Sequence, residues 1–481
     1  MEVNMGFKDL RQFIAALEKT GDVVKIQKEV DWDLELGAIG RRAYELSQPA
    51  QWFQKIKDYP AEYTVFNGSV GTWRRLAIAL GLPPETPVRD LYDVYEKREQ
   101  KPIKPKMVKT GECKENITTG DKIDLYKLPT PMLHDGDGGR YLGTWDVVVS
   151  KDPETNWSNW GMYRFMIHDK NTLTGYPAPF SHLAMMLMRR YIPNKKPMPI
   201  AIVIGCEPMC HMVATAGYGI NVDEADYAGA LGQAPVDLVK CETSDLMVPA
   251  HSEIVIEGEI LPDQTVPEGP FGEYPGYRSG QTGGGLLCRV NAITHRNSPI
   301  MTVIALGTPP DDSSIGASLT AGVAMKRRLL RHGIEVTGVY VPPEGVTHLI
   351  VVGVKKGGGD VARQIIEIFT ARRAMTSKVI VVDEDVDPFN MGEVLHAFAT
   401  KCHPGKGIYV TTYEGRANAL TPCYSPEERR KLTGAGVAFD STWPLEWDRD
   451  TEVPIKSSFT GTFSKETQQK VLKNWKAYGF K

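Results

Sequence analysis

Apolar residues recur at helical spacing near the start of the chain. Leu10, Phe13, Ile14 and Leu17 share one face of the stretch 8–20, and Gly21 follows as a helix stop. The pattern changes between about 143 and 305. Short apolar runs of strand character follow one another there, among them TWDVVVS, MYRFMIHD, PIAIVIG, SEIVIEGEI, LLCRVNAIT and MTVIAL, separated by turn-rich loops. They predict a β-rich barrel or sandwich. The stretch 314–331, rich in Ala, Leu, Met and Arg, predicts one helix bridging to another domain. Beyond it come EVTGVYV, THLIVVGV, a helix with Val361, Ile365, Ile368 and Phe369 on one face, the strand KVIVVDED and a helix over 388–399, an alternation that predicts a small α/β domain. The closing KETQQKVLKNWKAYGFK predicts a terminal helix whose Trp475, Tyr478 and Phe480 need a surface to pack against. Between 85 and 125 apolar runs are sparse, and YEKREQKPIKPKMVK predicts an exposed connector.

Length changes this picture only by requiring more than one core, since 481 residues exceed the roughly 250–300 at which a single core stops growing. An apolar share of 42%, a charged share of 24% and a net charge of -3 describe an ordinary soluble protein with no basic field for nucleic acid. Seven dispersed cysteines do not make a secreted disulfide framework, which points to a reducing cytoplasm. MEVNMGFKDLRQF lacks the uninterrupted apolar run of a signal peptide, and no segment reaches 18 apolar residues, so no membrane crossing is expected.

Phosphate loops of the G-x-x-x-x-G-K-[ST] type, H-E-x-x-H and G-x-S-x-G are all absent. The Gly-rich pieces HDGDGGRY, QTGGGLL and KKGGGD lack dinucleotide-fingerprint spacing and read as flexible turns. Cys206, Cys210 and His211 have C-x-x-x-C spacing without a second ligand pair, which favours buried thiols over zinc. Asn159, Arg164 and His182 fall in NWSNWGMYRFMIHDKNTLTGYPAPFSH. Asn159 and Arg164 would face opposite sides of a regular strand, so a bulge or turn at Gly161 is needed to bring them together. Asp223, Glu224 and Asp226 precede an apolar run and suit the first turn of a helix, where the macrodipole favours carboxylates. Glu268 and Glu273 flank Gly-Pro-Phe-Gly, a rigid loop that can hold two carboxylates close and raise one pKa, as a general acid requires. Each feature alone also has a purely structural explanation.

Taken together, N-W-G-M-Y-R, the following S-H, D-E-A-D-Y-A-G-A, V-K-C-E-T-S-D-L-M-V-P-A and E-G-P-F-G-E-Y-P-G-Y occur in the order and spacing of the UbiD family of prenylated-flavin-dependent decarboxylases. The chain resembles that family over nearly its whole length. HDGDGGRYLGTWD, NWGMYR and WPLEWD look closest to phenylphosphate carboxylase subunits and related aromatic-acid enzymes.

The resemblance implies an α/β (α+β) fold. Its parts would be an N-terminal α/β segment (1–125), a central split β-barrel binding prenylated FMN (126–312), a bridging helix (313–333), a C-terminal α/β oligomerisation domain (334–460) and a tail helix (461–481). It implies a carboxy-lyase that reversibly and non-oxidatively decarboxylates a phenolic, fused-ring or heteroaromatic acid through a covalent adduct with the cofactor. Asn159, His182 and Glu224 would ligate a divalent metal, Mn2+ or Mg2+, that also binds the flavin phosphate. Met162, Tyr163, Arg164, Ser181 and the Ala214, Thr215, Ala216 stretch would line the cofactor, with a K+ near Trp160 and that stretch. Arg164, Glu268 and Glu273 would form the catalytic network, Arg164 gripping the carboxylate and Glu273 donating the proton. Partners would be the aromatic acid, carbon dioxide, a flavin prenyltransferase supplying cofactor, and further copies in a homodimer or homohexamer. One departure stands out: relatives carry a phosphate-anchoring lysine where LTGAGVAFD places Gly436, and Arg429, Arg430 and Lys431 are the nearby substitutes. An auxiliary subunit of a multi-subunit carboxylase, or a flavin-free metal hydrolase, are the other readings.

Overall fold

The computed structural model describes residues 6–280, 282–372 and 374–480. The first five residues and Gln281 of the QTGGGLL piece therefore lie outside it. The opening helix runs Leu10–Thr20, capped by the Asp9 side chain, which accepts from Gln12 N, and stopped by Gly21 at φ 74. Its Leu10, Phe13, Ile14 and Leu17 are buried, as the spacing predicts. The strands Val23–Ile26, Ala50–Phe53 and Thr64–Asn67 form a small sheet with Ile300–Val303 from far along the chain. The run MTVIAL thus leaves the β-rich middle and pairs in parallel with Thr64–Asn67. Nothing local announces this, because a short buried strand looks the same in either sheet.

The central sheet carries the order Ser158–Gly161, Asp146–Lys151, Met198–Ile204, Ile254–Glu268, Thr282–His295, Thr172–Gly175, Phe165–Asp169, with Asn116–Thr119 also pairing to Thr282–His295. Its two terminal strands are consecutive in the chain, separated only by Met162, Tyr163 and Arg164. So short a link spans at most about 15 Å, so the sheet curls until its ends approach each other. The link is the seam of the curl.

The bridging helix is Asp312–Arg331, opened by a capping box between Asp311 and Ser314. Helix Val88–Glu99 packs along it, which corrects the exposed connector expected over 85–125. Leu91, Tyr92 and Tyr95 are buried there, Tyr92 Oη donates to Ser318 O at 2.7 Å, and Lys326 pairs with Glu96 at 2.7 Å. The apolar stripe is narrow and set among charges, so its helical phase is hidden in the composition. The C-terminal sheet has the order Val336–Tyr340, Leu349–Val354, Lys378–Val382, Gly434–Ser441, Ile408–Tyr413. Helix Val361–Thr370 covers it with Ile365 and Phe369 buried, and the helix expected over 388–399 is Met391–Lys401. In the tail, Trp475 and Phe480 stack on each other at 4.3 Å and stay exposed. Among the described residues no helix is long and apolar enough to cross a membrane.

Candidate active site

Arg164 ends the seam, and two carboxylates hold it. Its Nε and Nη2 donate to the two oxygens of Glu268, each at 2.9 Å, and its Nη1 donates to Glu273 Oε1. Glu268 is the last residue of the strand Ile254–Glu268 and also accepts from Tyr141 Oη at 2.9 Å. The guanidinium lies 5.3 Å over the Phe271 ring, which in turn packs 4.2 Å from Tyr141. The loop that carries Glu273 is pinned by Gly272 N donating to Asp137 Oδ1 at 3.0 Å. All three charged side chains are buried or nearly so. Burial works against the Arg164 charge, but the Glu268 hydrogen bond and the two carboxylate charges raise its pKa overall, so it stays a cation. Burial also raises the Glu273 pKa, with Arg164 opposing and the Glu268 charge reinforcing the rise.

A second cluster lies on the other side of the seam. Asn159, fully buried, brings Oδ1 to 2.9 Å from His182 Nδ1, and the Trp157 ring sits edge-on to His182 at 5.0 Å. Glu224 begins the helix Glu224–Gly232, and its Oε2 accepts from Trp160 N at 2.9 Å. Burial pushes the Glu224 carboxyl up to about 8, against the lowering effect of the Trp160 N–H, and it lowers the His182 pKa. An amide oxygen, a neutral imidazole and a carboxylate that burial has left short of positive charge fit a hard divalent cation. Ala214 and Thr215 end the helix Pro208–Thr215 and Ala216 follows in extended conformation; the negative end of that helix dipole also suits a cation.

Sequence reasoning requires a change of direction at Gly161, and the strand does end there. A Cβ on Gly161 would sit 2.5 Å from the Tyr163 ring, so glycine lets the ring fold back over the strand. The Tyr163 hydroxyl then lies 3.5 Å from Leu183 N, and Met162 is partly buried against the core. Ser181 caps the helix His182–Met186 by accepting from Ala184 N. Asp226 leaves the cluster to pair with Lys104 at 2.6 Å. Cys206, Cys210 and His211 are buried, with His211 stacked on Trp145, and among the described residues no group of three or more His, Cys, Asp or Glu could hold a metal. Asn159, His182 and Glu224 instead combine an amide oxygen with an imidazole and a carboxylate.

Gly436 lies in the C-terminal sheet, where a Cβ would meet Ile366 and Thr370 at 3.0 Å. Lys431, in the helix Pro426–Lys431, pairs with Glu427. A cleft of about 120 Å³ beside His182 is lined by Met185, Arg189, Ile220 and Asn221. Arg190 is engaged there with Asp152 and Glu154.

Four residues of these clusters escape the motif reading. Tyr141 and Phe271 complete the Glu268–Arg164 arrangement. Asp146 is fully buried beside the Tyr163 backbone with both carboxyl oxygens short of hydrogen-bond geometry, and burial raises its pKa strongly. Gly285 belongs to the QTGGGLL piece, whose residues 282–287 are strand rather than flexible turn: Val266 pairs with Gly285 and Glu268 with Thr282. A Cβ on Gly285 would come within 2.6 Å of Glu268 Cβ. Glycine there makes room for the buried carboxylate.

Comparison with known proteins identifies the family. Family models for the 3-octaprenyl-4-hydroxybenzoate carboxy-lyase N-terminal, Rift-related and C-terminal domains match residues 14–94, 106–309 and 317–441. The chain is 31% identical to a pyrrole-2-carboxylic acid decarboxylase of Pseudomonas aeruginosa over 99% of both chains. It is 36% identical to a phenolic acid decarboxylase of Sedimentibacter hydroxybenzoicus over 84% of this chain and 86% of that one. Among solved structures, the closed form of the vanillic acid decarboxylase of Sedimentibacter hydroxybenzoicus superposes with a TM-score of 0.88 at 32% identity, covering 98% of this chain and 99% of that one. The UbiD-class enzyme HmfF of Pelotomaculum thermopropionicum, in complex with FMN, gives 0.80 at 30% identity, covering 93% and 97%. With all three domain models matched in order and relatives aligned end to end, the chain belongs to the UbiD family of decarboxylases.

Proposed function

We propose that this protein is a prenylated-FMN-dependent carboxy-lyase acting reversibly on an aromatic or heteroaromatic carboxylic acid. The observation that carries the reading is the buried Arg164 held by both oxygens of Glu268 while also engaging Glu273. Arg164 receives the substrate carboxylate by charge-assisted hydrogen bonds and releases it once carbon dioxide, which is neutral, has formed. Glu268, fixed by Tyr141, holds the guanidinium in place. Glu273 keeps a proton available through its raised pKa and delivers it from its carboxyl oxygen to the ring carbon that lost carbon dioxide. The prenylated flavin, when bound, supplies the electron-accepting ring that this chemistry needs.

Asn159, His182 and Glu224 would hold the divalent metal, Mn2+ or Mg2+, which would supply positive charge for the cofactor phosphate. The Ala214–Ala216 backbone and Trp160 are assigned to K+. Met162, Tyr163 and Ser181 border the cofactor, and Arg189 supplies positive charge in place of the lysine missing at 436. A cytoplasmic homodimer or homohexamer fed by a flavin prenyltransferase completes the proposal. Co-expression with such a prenyltransferase should yield protein with flavin absorbance and the mass of the prenylated cofactor, and should release carbon dioxide from some of a panel of aromatic acids. Protein that binds no prenylated flavin under these conditions would overturn the proposal. Cofactor binding with every acid inert would instead favour an auxiliary subunit.

A further inference from the structure

The Gly-rich piece HDGDGGRY reads along the chain as a flexible turn, yet its first half lies clamped against the loop that carries Glu273. Gly138 N donates to Pro270 O at 2.7 Å, and Arg278 Nη1 donates to Asp135 O at 2.8 Å, so both ends of the loop 270–278 are tied to it. The approach is close: a Cβ on Gly138 would sit 2.2 Å from Gly269 O. These bonds fix the ends of the loop, and a side chain fixes its middle. Asp137 Oδ1 accepts from Gly272 N, the backbone amide next to Glu273.

The Asp137 side chain is fully buried, and a buried carboxylate is costly unless its charge and its lone pairs are both met. His134 meets them. Its Nδ1 lies 2.9 Å from Asp137 Oδ2, and its Nε2 lies 2.7 Å from Leu306 O. Both neighbours are acceptors; a neutral ring donates to one of them and an imidazolium to both. The far end is anchored in turn. Leu306 follows Ala305, whose N donates to Asn67 Oδ1 and whose O accepts from Arg41 Nη1, each at 3.0 Å. The His134 ring also meets Phe271 edge-on with centroids 6.1 Å apart, and a Cβ on Gly272 would lie 2.6 Å from its Nδ1. His134 therefore touches the two residues that precede Glu273 and holds the carboxylate that pins them.

We infer that His134 is a positioning residue for proton delivery: through Asp137 it fixes Gly272, and so keeps the Glu273 carboxyl registered on Arg164 and on the substrate carbon. This rests on the decarboxylase reading above, in which Glu273 is the donor, and extends the machinery to a residue that acts through the loop. Glu273 sits on a loop rather than a strand, so its carboxyl is aimed only as well as that loop is held. A misplacement of about 1 Å is enough to cost on the order of 100-fold in rate.

The test is a double-mutant cycle on the holoenzyme. Turnover is read as kcat and KM for 4-hydroxybenzoate, pyrrole-2-carboxylate or furan-2-carboxylate, whichever reacts fastest, and amide hydrogen exchange of the segment 269–279 is measured alongside. His134→Phe keeps an aromatic ring against Phe271 and removes both ring nitrogens. It should lower kcat about 10- to 100-fold, with KM within about threefold and flavin absorbance at the wild-type level. His134→Gln, whose amide keeps a donor for Leu306 O, should recover part of the loss. In a Glu273→Gln background, His134→Phe should change kcat by no more than about twofold, because its effect passes through Glu273. An equal loss in both backgrounds would overturn the inference, since a general weakening of the fold multiplies with the loss of the donor. So would wild-type kcat in His134→Phe. Should His134→Phe fail to fold, the cycle is run with His134→Gln, and wild-type turnover and exchange in that variant would overturn it. Hydrogen exchange separates the two readings. A wild type inert toward every acid counts against the decarboxylase reading; exchange of 269–279 at least about tenfold faster in His134→Phe would still uphold His134 as the holder of the Glu273 loop, and unchanged exchange would overturn it.

Discussion

The two clusters flanking the seam differ in how complete they are. Around Arg164 the protein supplies both signs of charge: the guanidinium faces the Glu268 carboxylate, with Glu273, whose pKa burial raises, a phenol and an aromatic face beside them, so the buried charges are compensated before any ligand arrives. Around Asn159, His182 and Glu224 it supplies only acceptors and an imidazole, and burial drives Glu224 toward its neutral form. The difference teaches that the first cluster is complete as it stands, while the second would be completed by the cation proposed for it. Substitutions should therefore separate chemistry from loading.

The largest effect is expected at the complete cluster. Glu273→Gln should lower kcat about 10³-fold while flavin absorbance stays at the wild-type level; parallel loss of cofactor would break the separation. The same residue sets a pH limb. Because its folded pKa is raised, Glu273 remains protonated above the ordinary carboxylate range, and kcat should fall as pH rises through that elevated value. Its contribution to stability has the same sign, full below the unfolded carboxylate pKa and lost as pH rises through the folded one. A pH–rate profile locates the limb, and an alkaline side that is flat would deny Glu273 the donor role.

Next comes the unfinished cluster. Glu224→Ala should weaken metal binding by about 100-fold or more, read by metal analysis and by cofactor retained after gel filtration. Chelation of wild type should mimic it. Gly161→Ala tests the seam between the clusters: a Cβ 2.5 Å from the Tyr163 ring should displace that ring, cost about 1–3 kcal/mol of stability and loosen flavin binding. Thermal melts of apo and holo protein would show it. The smallest effect is expected at Asn418→Ala, which removes one hydrogen bond to Tyr274 and should cost about 1 kcal/mol, visible as a modest shift in denaturant midpoint.

Much of this was readable along the chain wherever the signal is local. The helix ending at Gly21, the central strands and the need for a turn at Gly161 all follow from spacing over a few residues. The site residues were readable through their motifs, since Glu268 and Glu273 share one rigid loop and Asn159 and Arg164 share another short segment. Tyr141, Phe271, Asp146 and Gly285 were not, because their importance lies in which distant residue each touches. Gly285 reads as part of a flexible turn until Glu268 is seen beside it. Helix Val88–Glu99 was hidden for a related reason: its buried stripe becomes meaningful only against Ser318 and the rest of the bridging helix.

By itself the sequence determined the periodicities, the helix stop at Gly21, the family resemblance and the two sets of polar side chains to which the chemistry is assigned. Only the tertiary structure decided that MTVIAL joins the N-terminal sheet, that the ends of the central sheet meet at Met162–Arg164, and that Arg164 meets both Glu268 and Glu273. The physical reason is one of range. Helical and strand preferences are settled between near neighbours, whereas the pairing of strands, the closing of a curled sheet and the meeting of a guanidinium with its carboxyl partners depend on contacts between residues that only the whole fold brings together.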